Sequence, residues 1–172
     1  MVLISPDSER TMHTYLGITA ELSAEQIDFE PLKTAKWLYI EGYLSTSDTA
    51  RIAVKQAREQ AKAHGVKIAL SLSDPAMVQY ARQGLEELLD DGVDLLFCNE
   101  QEALMFTNTE NLDDAIAALK LNNQHIVITQ GANGAVIIDP AQQFHVAGRH
   151  VDAVDTNGAG DAFAGAFLYA IN

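Results

Sequence analysis

Strand-like and helix-like segments alternate along this chain, and this alternation is the feature that most restricts its fold. Short apolar runs, typical of buried strands, alternate with longer stretches in which apolar residues recur at helical spacing. This order is typical of a mostly parallel sheet covered by helices on both faces. The predicted strands are Trp37–Ile40, Val66–Leu72, Asp94–Cys98, His125–Thr129 and Ala135–Ile138, and the predicted helices run from Asp48 to His64, Asp74 to Leu89, Glu100 to about Phe106 and Asp113 to Leu121.

Shorter elements flank this alternating region. They are a hairpin of Val2–Ser5 and Thr11–Leu16 around Pro6, a short helix capped at Ser23, a returning strand at Gln143–Ala147, a strand at His150–Val154 and a last helix that begins near Asp161. The sequence contains no linker-like segment and no internal repeat, so it predicts a single α/β unit.

The composition narrows the range of partners. The 172 residues are 48% hydrophobic, which is enough for one domain with a core. A net charge of −13 argues against nucleic acid and anionic membranes as partners, because like charges repel. Cys98 is the single cysteine, and no apolar stretch approaches the roughly 20 residues of a membrane span. We therefore expect a cytoplasmic protein without a membrane or nucleic-acid partner.

Polar or glycine-rich segments follow three predicted strands. They are Asn99–Glu102, Thr129–Gly134 and Asp155–Asp161. In an open α/β sheet, ligands bind beyond the carboxyl ends of the strands. The three segments are therefore expected to meet at one edge and to form a site.

The last of these segments, Asp155-Thr156-Asn157-Gly158-Ala159-Gly160-Asp161, joins a predicted strand to a helix. Its glycines allow a sharp turn, and the N-terminus of the following helix offers unpaired N–H groups to an anion. Asp161 lies in the first helical turn, where its carboxylate would face the anion, an arrangement that suggests phosphoryl transfer. The alternative is a plain strand-to-helix turn in which aspartate only supplies N-terminal charge.

The same segment resembles the second signature of the ribokinase-like (PfkB) carbohydrate and nucleoside kinases, Asp-Thr-x-Gly-Ala-Gly-Asp. Asn99-x-x-Glu102 and Thr129-x-Gly131 also match motifs of this family. The resemblance implies a ribokinase-like fold, a mostly parallel sheet sandwiched by helices in three α/β/α layers. It implies one incomplete domain over residues 1–172, with residues 1–17 as a remnant of the β lid and residues 36–172 as the α/β core.

The resemblance also implies roles for individual residues. Asp161 would act as the catalytic base, and the N–H groups around Asn157, Gly158, Ala159 and Gly160 would stabilise the transferring phosphoryl group. ATP would contact Asn99, Thr129, Gly131 and Gly134, Glu102 would organise Mg2+ and its waters, and Asp155 and Thr156 would help to bind a monovalent cation such as K+.

Two of these segments also have purely structural interpretations. Asn99 and Glu102 can form a helix-capping arrangement, and the glycines of Thr129–Gly134 suit a tight turn between two strands. The capping and metal roles of Glu102 are compatible if its carboxylate stays partly outward.

Glu9–Met12, Thr14–Gly17 and Ile40–Leu44 are similar to the adenosine-kinase-like branch of the family. This similarity would place Arg10 near the acceptor or the phosphate. Alternatively, Arg10 is a solvated edge-strand charge that discourages sheet-to-sheet aggregation.

The expected function is therefore ATP-dependent phosphoryl transfer to a hydroxyl of a sugar or nucleoside, and a homodimer is compatible with it. Chains of the family are longer at both ends, so this chain looks truncated, and we expect weak nucleotide binding with little turnover. A non-catalytic nucleotide-binding or assembly fragment and a different glycine-rich α/β enzyme remain as alternatives. The sequence lacks a Walker-type loop, a Gly-x-Gly-x-x-Gly after the first strand and a Gly-x-Ser-x-Gly elbow.

Overall fold

The computed structural model describes residues 2–5, 10–13 and 15–172. Strands β1 (Val2–Ile4) and β2 (Arg10–Met12) pair antiparallel in a small separate sheet. The pairing agrees with the predicted hairpin, although β2 ends at Met12 rather than Leu16. The predicted turn around Pro6 lies outside the described residues.

The central sheet has six strands in the order β3-β4-β5-β6-β7-β8. Strands β3 to β6 are parallel, whereas β7 and β8 run antiparallel to their neighbours. The mostly parallel sheet predicted from the alternating pattern is confirmed. The strands are β3 (Trp37–Glu41), β4 (Lys67–Ser71), β5 (Leu95–Asn99), β6 (His125–Thr129), β7 (Ala135–Ile138) and β8 (Gln143–Val146).

Helices connect and flank these strands. They are α1 (Asp48–His64), α2 (Pro75–Tyr80), α3 (Arg82–Leu89), α4 (Glu100–Thr107), α5 (Leu112–Leu119) and α6 (Ala159–Ala170), with 3-10 helices at Gly17–Glu21, Ala24–Gln26, Glu30–Lys33, Gly42–Thr46 and Gly131–Asn133. Gly65 ends α1 with a φ of 70°, as expected for a glycine C-cap. Among the described residues, no helix combines the length and the apolar character needed to cross a membrane.

Alternate residues of the strands point to two cores. Side chains such as Leu70, Leu96 and Ile128 pack against helices α1 to α5 in the larger core. Phe97 and Val127 face the opposite side, where Ala164 of α6 packs against them. The sheet is therefore flanked by helices on both faces, which confirms the predicted sandwich.

The predicted helix from Asp74 to Leu89 is divided at Ala81. Ala81 has a φ of −125°, outside the helical range, and separates α2 from α3. Just after this break, α3 lies close to the 3-10 helix at Gly42–Thr46, since a Cβ atom on Gly84 would lie 2.1 Å from the carbonyl oxygen of Ser45. Helical periodicity in the sequence does not reveal the break at Ala81.

The prediction of a strand at His150–Val154 is wrong. These residues have no strand conformation and are all exposed. Alternating residues form a half-buried strand only where one face packs against a core, and the edge strand β8 already ends at Val146.

Candidate active site

The segment at Asn99 and the turn after Thr129 lie side by side at the carboxyl edge of the sheet. Asn99, the last residue of β5, is the direct partner of Thr129, the last residue of β6. Because these strands are parallel, the segments that follow them leave the sheet on the same side. Two of the three predicted site segments are thus brought together by the strand register itself.

Asn99 and Glu102 form the capping box expected from their spacing. The Glu102 N–H donates to Asn99 Oδ1 at 2.7 Å, and the Asn99 N–H donates to Glu102 Oε2 at 2.9 Å. The Asn99 side-chain amide donates to Glu102 Oε1 at 2.8 Å. Glu102 is only 4% exposed, so the expectation that its carboxylate stays partly outward is wrong. The carboxylate is held by the residue that caps its own helix.

The glycines in the turn after β6 serve different purposes. Gly134 has a φ of 102°, and a Cβ atom there would lie 1.9 Å from the carbonyl oxygen of Val146, so this glycine lets β7 approach the end of β8. Gly131 also has a positive φ, 56°, but a Cβ atom on it would meet nothing within 4 Å. The described chain therefore leaves open space on the side of Gly131 where a side chain would lie.

The segment from Asp155 to Asp161 turns into α6 through Gly158, whose φ of 74° is left-handed. Of the N–H groups predicted to bind an anion, that of Asn157 donates to Asp155 Oδ1 at 2.7 Å, and that of Ala159 donates to the Thr156 carbonyl at 3.2 Å. The N–H groups of Gly160 and Asp161 lie in the first turn of α6, where a helix provides no carbonyl acceptor. Asp161 is exposed at this turn.

Helix α6 packs beside β3, since Phe163 of α6 and Tyr39 of β3 belong to the same hydrophobic cluster, and the charge of Asp161 acts on the end of β3. The pKa of Glu41, the last residue of β3, is raised by burial and then by the negative charge of Asp161. The pKa of Tyr39 is also raised, chiefly by burial. A hydrogen bond with Ser71 opposes this rise, and the negative charges of Glu41, Asp161 and Glu102 add to it. The negative charges of these three carboxylates therefore all act on one tyrosine hydroxyl.

Glu41 was not among the predicted site residues. It belongs to the segment Ile40–Leu44, whose similarity to a branch of the family was noted, and it directly follows a buried strand residue. An acidic side chain at the carboxyl end of a parallel strand is the signal that could have identified it.

Glu41, Asp161 and Glu102 do not form a complete protein metal site. The described part of the chain contains no group of three or more histidine, cysteine, aspartate or glutamate residues placed to hold a metal ion. Mg2+ commonly keeps several waters and is bound through one or two carboxylates together with substrate phosphates. The concentration of negative charge at Asp161, Glu41 and Glu102 fits a cation that arrives with phosphates.

Comparison with known proteins agrees with this geometry. The model of the pfkB family carbohydrate kinases matches residues 1–172. The structure is similar to that of an adenosine kinase from Sinorhizobium meliloti, with 36% identity and a TM-score of 0.92 over 98% of this chain and 52% of that chain. It is also similar to a ribokinase II from E. coli solved with ATP and Mg2+, with 30% identity and a TM-score of 0.77 over 86% of this chain and 49% of that chain.

Among curated proteins, a fructokinase from Klebsiella pneumoniae is 27% identical over 97% of this chain and 57% of its own length. This chain thus spans about half the length of the relatives it matches. The ribokinase-like fold expected from the motifs is confirmed. The chain belongs to the pfkB family of carbohydrate kinases.

Proposed function

We propose that this chain provides the nucleotide site and catalytic base of an enzyme that transfers the γ-phosphoryl group of ATP to a hydroxyl of a sugar or nucleoside. The observation that carries the proposal is the exposed carboxylate of Asp161 in the first turn of α6, directly after the left-handed Gly158. Family membership and the similarity to adenosine kinase and fructokinase support the reaction class.

In the proposed reaction, Asp161 orients the acceptor hydroxyl and accepts its proton. The acceptor oxygen forms a bond to the γ-phosphorus as the bond from that phosphorus to the departing ADP oxygen breaks. The N–H groups of Gly158, Gly160 and Asp161 stabilise charge on the transferring group. The N–H groups of Asn157 and Ala159 can join them if the ligand replaces their contacts within the segment.

Bound Mg2+ would neutralise charge on the phosphate oxygens. Glu102 would act on the ion through water rather than directly, because Asn99 already donates to both of its carboxylate oxygens. Glu41 would add negative charge near the acceptor.

The remaining assignments are part of the same proposal. Residues 1–17 would cover the sugar site and residues 36–172 would form the core. Arg10 in β2 would approach the acceptor. The nucleotide would contact Asn99, Thr129, Gly131, Gly134, Asn157, Gly158 and Gly160, and a monovalent cation such as K+ would bind near Asp155 and Thr156.

Calorimetric titration of the 172-residue chain with Mg·ADP tests the nucleotide site. We expect saturable binding that requires Mg2+ and is weak. An assay of ATP-dependent phosphorylation with adenosine, ribose and fructose then tests transfer, and Asp161→Asn should remove whatever turnover is measured while it leaves Mg·ADP binding within about twofold. Equal turnover by the variant would eliminate Asp161 as the base, and NAD binding in place of ADP binding would overturn the whole assignment.

A second candidate function is a nucleotide-binding module without transfer activity. Binding of Mg·ADP without phosphorylation of any acceptor would support this module, and acceptor-dependent release of ADP would support the enzyme.

A further inference from the structure

A side-chain hydrogen bond joins two of the site segments. Gln130 Nε2, in the turn after β6, donates to Glu100 Oε2, in the first turn of α4, at 2.8 Å. The two residues are 30 positions apart in sequence, and their backbone neighbours Asn99 and Thr129 face each other in the sheet. We call this contact the Gln130–Glu100 bridge.

The turn that carries Gln130 is closed by its own backbone. The Gln130 N–H donates to the Gly134 carbonyl at 2.8 Å, and the Asn133 N–H donates to the Gln130 carbonyl at 3.0 Å. These hydrogen bonds make the turn a compact unit. The bridge joins this unit to the helix that carries Glu102.

Stability alone does not explain the position of the Gln130 side-chain amide. Its Oε1 atom is buried without a hydrogen-bond partner among the described residues. Burial of an unpaired acceptor opposes folding, and an apolar side chain of similar length would avoid that cost. What the amide provides is the donor to Glu100, and a hydrogen bond to a carboxylate is stronger than one between neutral groups.

We infer that Gln130 and Glu100 are positioning residues that fix the turn at Thr129–Gly134 against the first turn of α4, and that nucleotide affinity depends on this bridge. The inference rests on the proposed function, because it assumes that both segments face the same nucleotide. Neither residue needs to touch the ligand. Their effect is to hold Gly131 and the capped Glu102 in one arrangement.

A double-mutant cycle with Gln130→Met and Glu100→Met tests the inference through the affinity for Mg·ADP, measured by calorimetry on the whole chain. Each single variant should bind about threefold to tenfold more weakly, as expected for loss of one net hydrogen bond. The double variant should be no weaker than either single one. Glu100→Gln keeps an oxygen acceptor for Gln130 and should retain affinity within about twofold.

The matched control is Gln83→Met. Gln83 Nε2 also donates to a glutamate, Glu87 Oε1 at 3.3 Å, but both residues lie on α3. This variant should bind Mg·ADP like the wild type. If it weakened binding as much as Gln130→Met does, a general effect of losing a glutamine would replace the bridge as the cause.

Two further outcomes separate the inference from the proposed function. Normal affinity in Gln130→Met, or losses that multiply in the double variant, would overturn the bridge while the nucleotide site stands. No binding of Mg·ADP by the wild type would overturn the proposed function and this inference with it. The same cycle in urea unfolding without ligand should still show coupling between the two residues, and additive effects there would show that the bridge does not form.

Discussion

The carboxylates of Glu41 and Asp161 lie close enough for Asp161 to raise the pKa of Glu41, although the two residues are separated by most of the chain. Glu41 ends β3, and Asp161 lies in the first turn of α6, a helix that packs against Tyr39 of the same strand. Two like charges that approach each other repel, and a bound cation or a shared proton relieves the repulsion. The pair therefore marks the point of the sheet edge where negative charge is concentrated.

The Glu41–Asp161 pair predicts a pH-dependent effect of Glu41→Gln. Because the pKa of Glu41 is raised in the folded state, its contribution to stability is fully present below the ordinary glutamate pKa of about 4.3. The contribution is lost as the pH rises through the raised value. The glutamine side chain cannot ionise. The free energy of unfolding of Glu41→Gln should therefore exceed that of the wild type by a difference that grows over this pH range and is constant above it. Urea unfolding at a series of pH values measures the difference.

Asp161→Asn is the control for this prediction. Burial, the larger cause, remains in that variant, but the charge of Asp161 is gone. The stability gain of Glu41→Gln should therefore be smaller in the Asp161→Asn background. A gain of the same size in both backgrounds would show that the two carboxylates do not interact.

Two asparagine caps in this chain allow a matched test of the site around α4. Asn99 caps α4 with Glu102, and Asn111 caps α5 with Asp114 through the same type of contacts, 3.0 Å from the Asp114 N–H to Asn111 Oδ1 and 2.8 Å from Asn111 Nδ2 to Asp114 Oδ2. Asn111→Ala should lower the free energy of unfolding by about 1 kcal/mol. Asn99→Ala should lower it by more, because it removes the side-chain amide donor from a carboxylate that is only 4% exposed.

The two variants should also differ in nucleotide binding. Asn99→Ala should weaken the binding of Mg·ADP, whereas Asn111→Ala should leave the affinity for Mg·ADP unchanged within about twofold. Calorimetry at a temperature where both variants are folded makes this measurement. Equal affinities in the two variants would mean that Asn99 caps its helix and has no part in the nucleotide site.

Local patterns in the sequence were sufficient to predict the sheet, its mostly parallel order and the capping box at Asn99. These features depend on residues that are neighbours in sequence or on periodicity along one element. The break at Ala81 and the absence of a strand at His150–Val154 depend on what lies beside the segment in space. The same is true of Glu41, whose interaction is with Asp161, a residue 120 positions away in sequence. The burial of Glu102 was also missed, because a capping pattern does not indicate whether the helix end is covered.

Gly158 and Gly160 should respond differently to alanine. Gly158 has a φ of 74°, so Gly158→Ala should destabilise the chain by about 1 kcal/mol through backbone strain. Gly160 has no positive φ, and a Cβ atom on it would meet nothing within 4 Å. Gly160→Ala should therefore leave stability unchanged or slightly raised, and yet weaken Mg·ADP binding about tenfold or more if phosphate packs against this turn. Thermal unfolding and calorimetry on the same samples separate the two effects, and unchanged affinity in Gly160→Ala would place the phosphate elsewhere.

Glycines on two helices provide the last prediction, which concerns packing rather than the site. Gly84 of α3 lies against the 3-10 helix at Gly42–Thr46, where a Cβ atom would be 2.1 Å from the Ser45 carbonyl oxygen. Gly84→Ala should therefore destabilise the chain by roughly 1–3 kcal/mol, since the backbones would have to separate. Gly165 of α6 is exposed, and a Cβ atom on it would meet nothing within 4 Å. Gly165→Ala should stabilise the chain by about 0.5–1 kcal/mol through helix propensity alone. Opposite shifts in the midpoint of urea unfolding are expected, and a stabilising effect of Gly84→Ala would show that α3 does not approach Ser45 in solution.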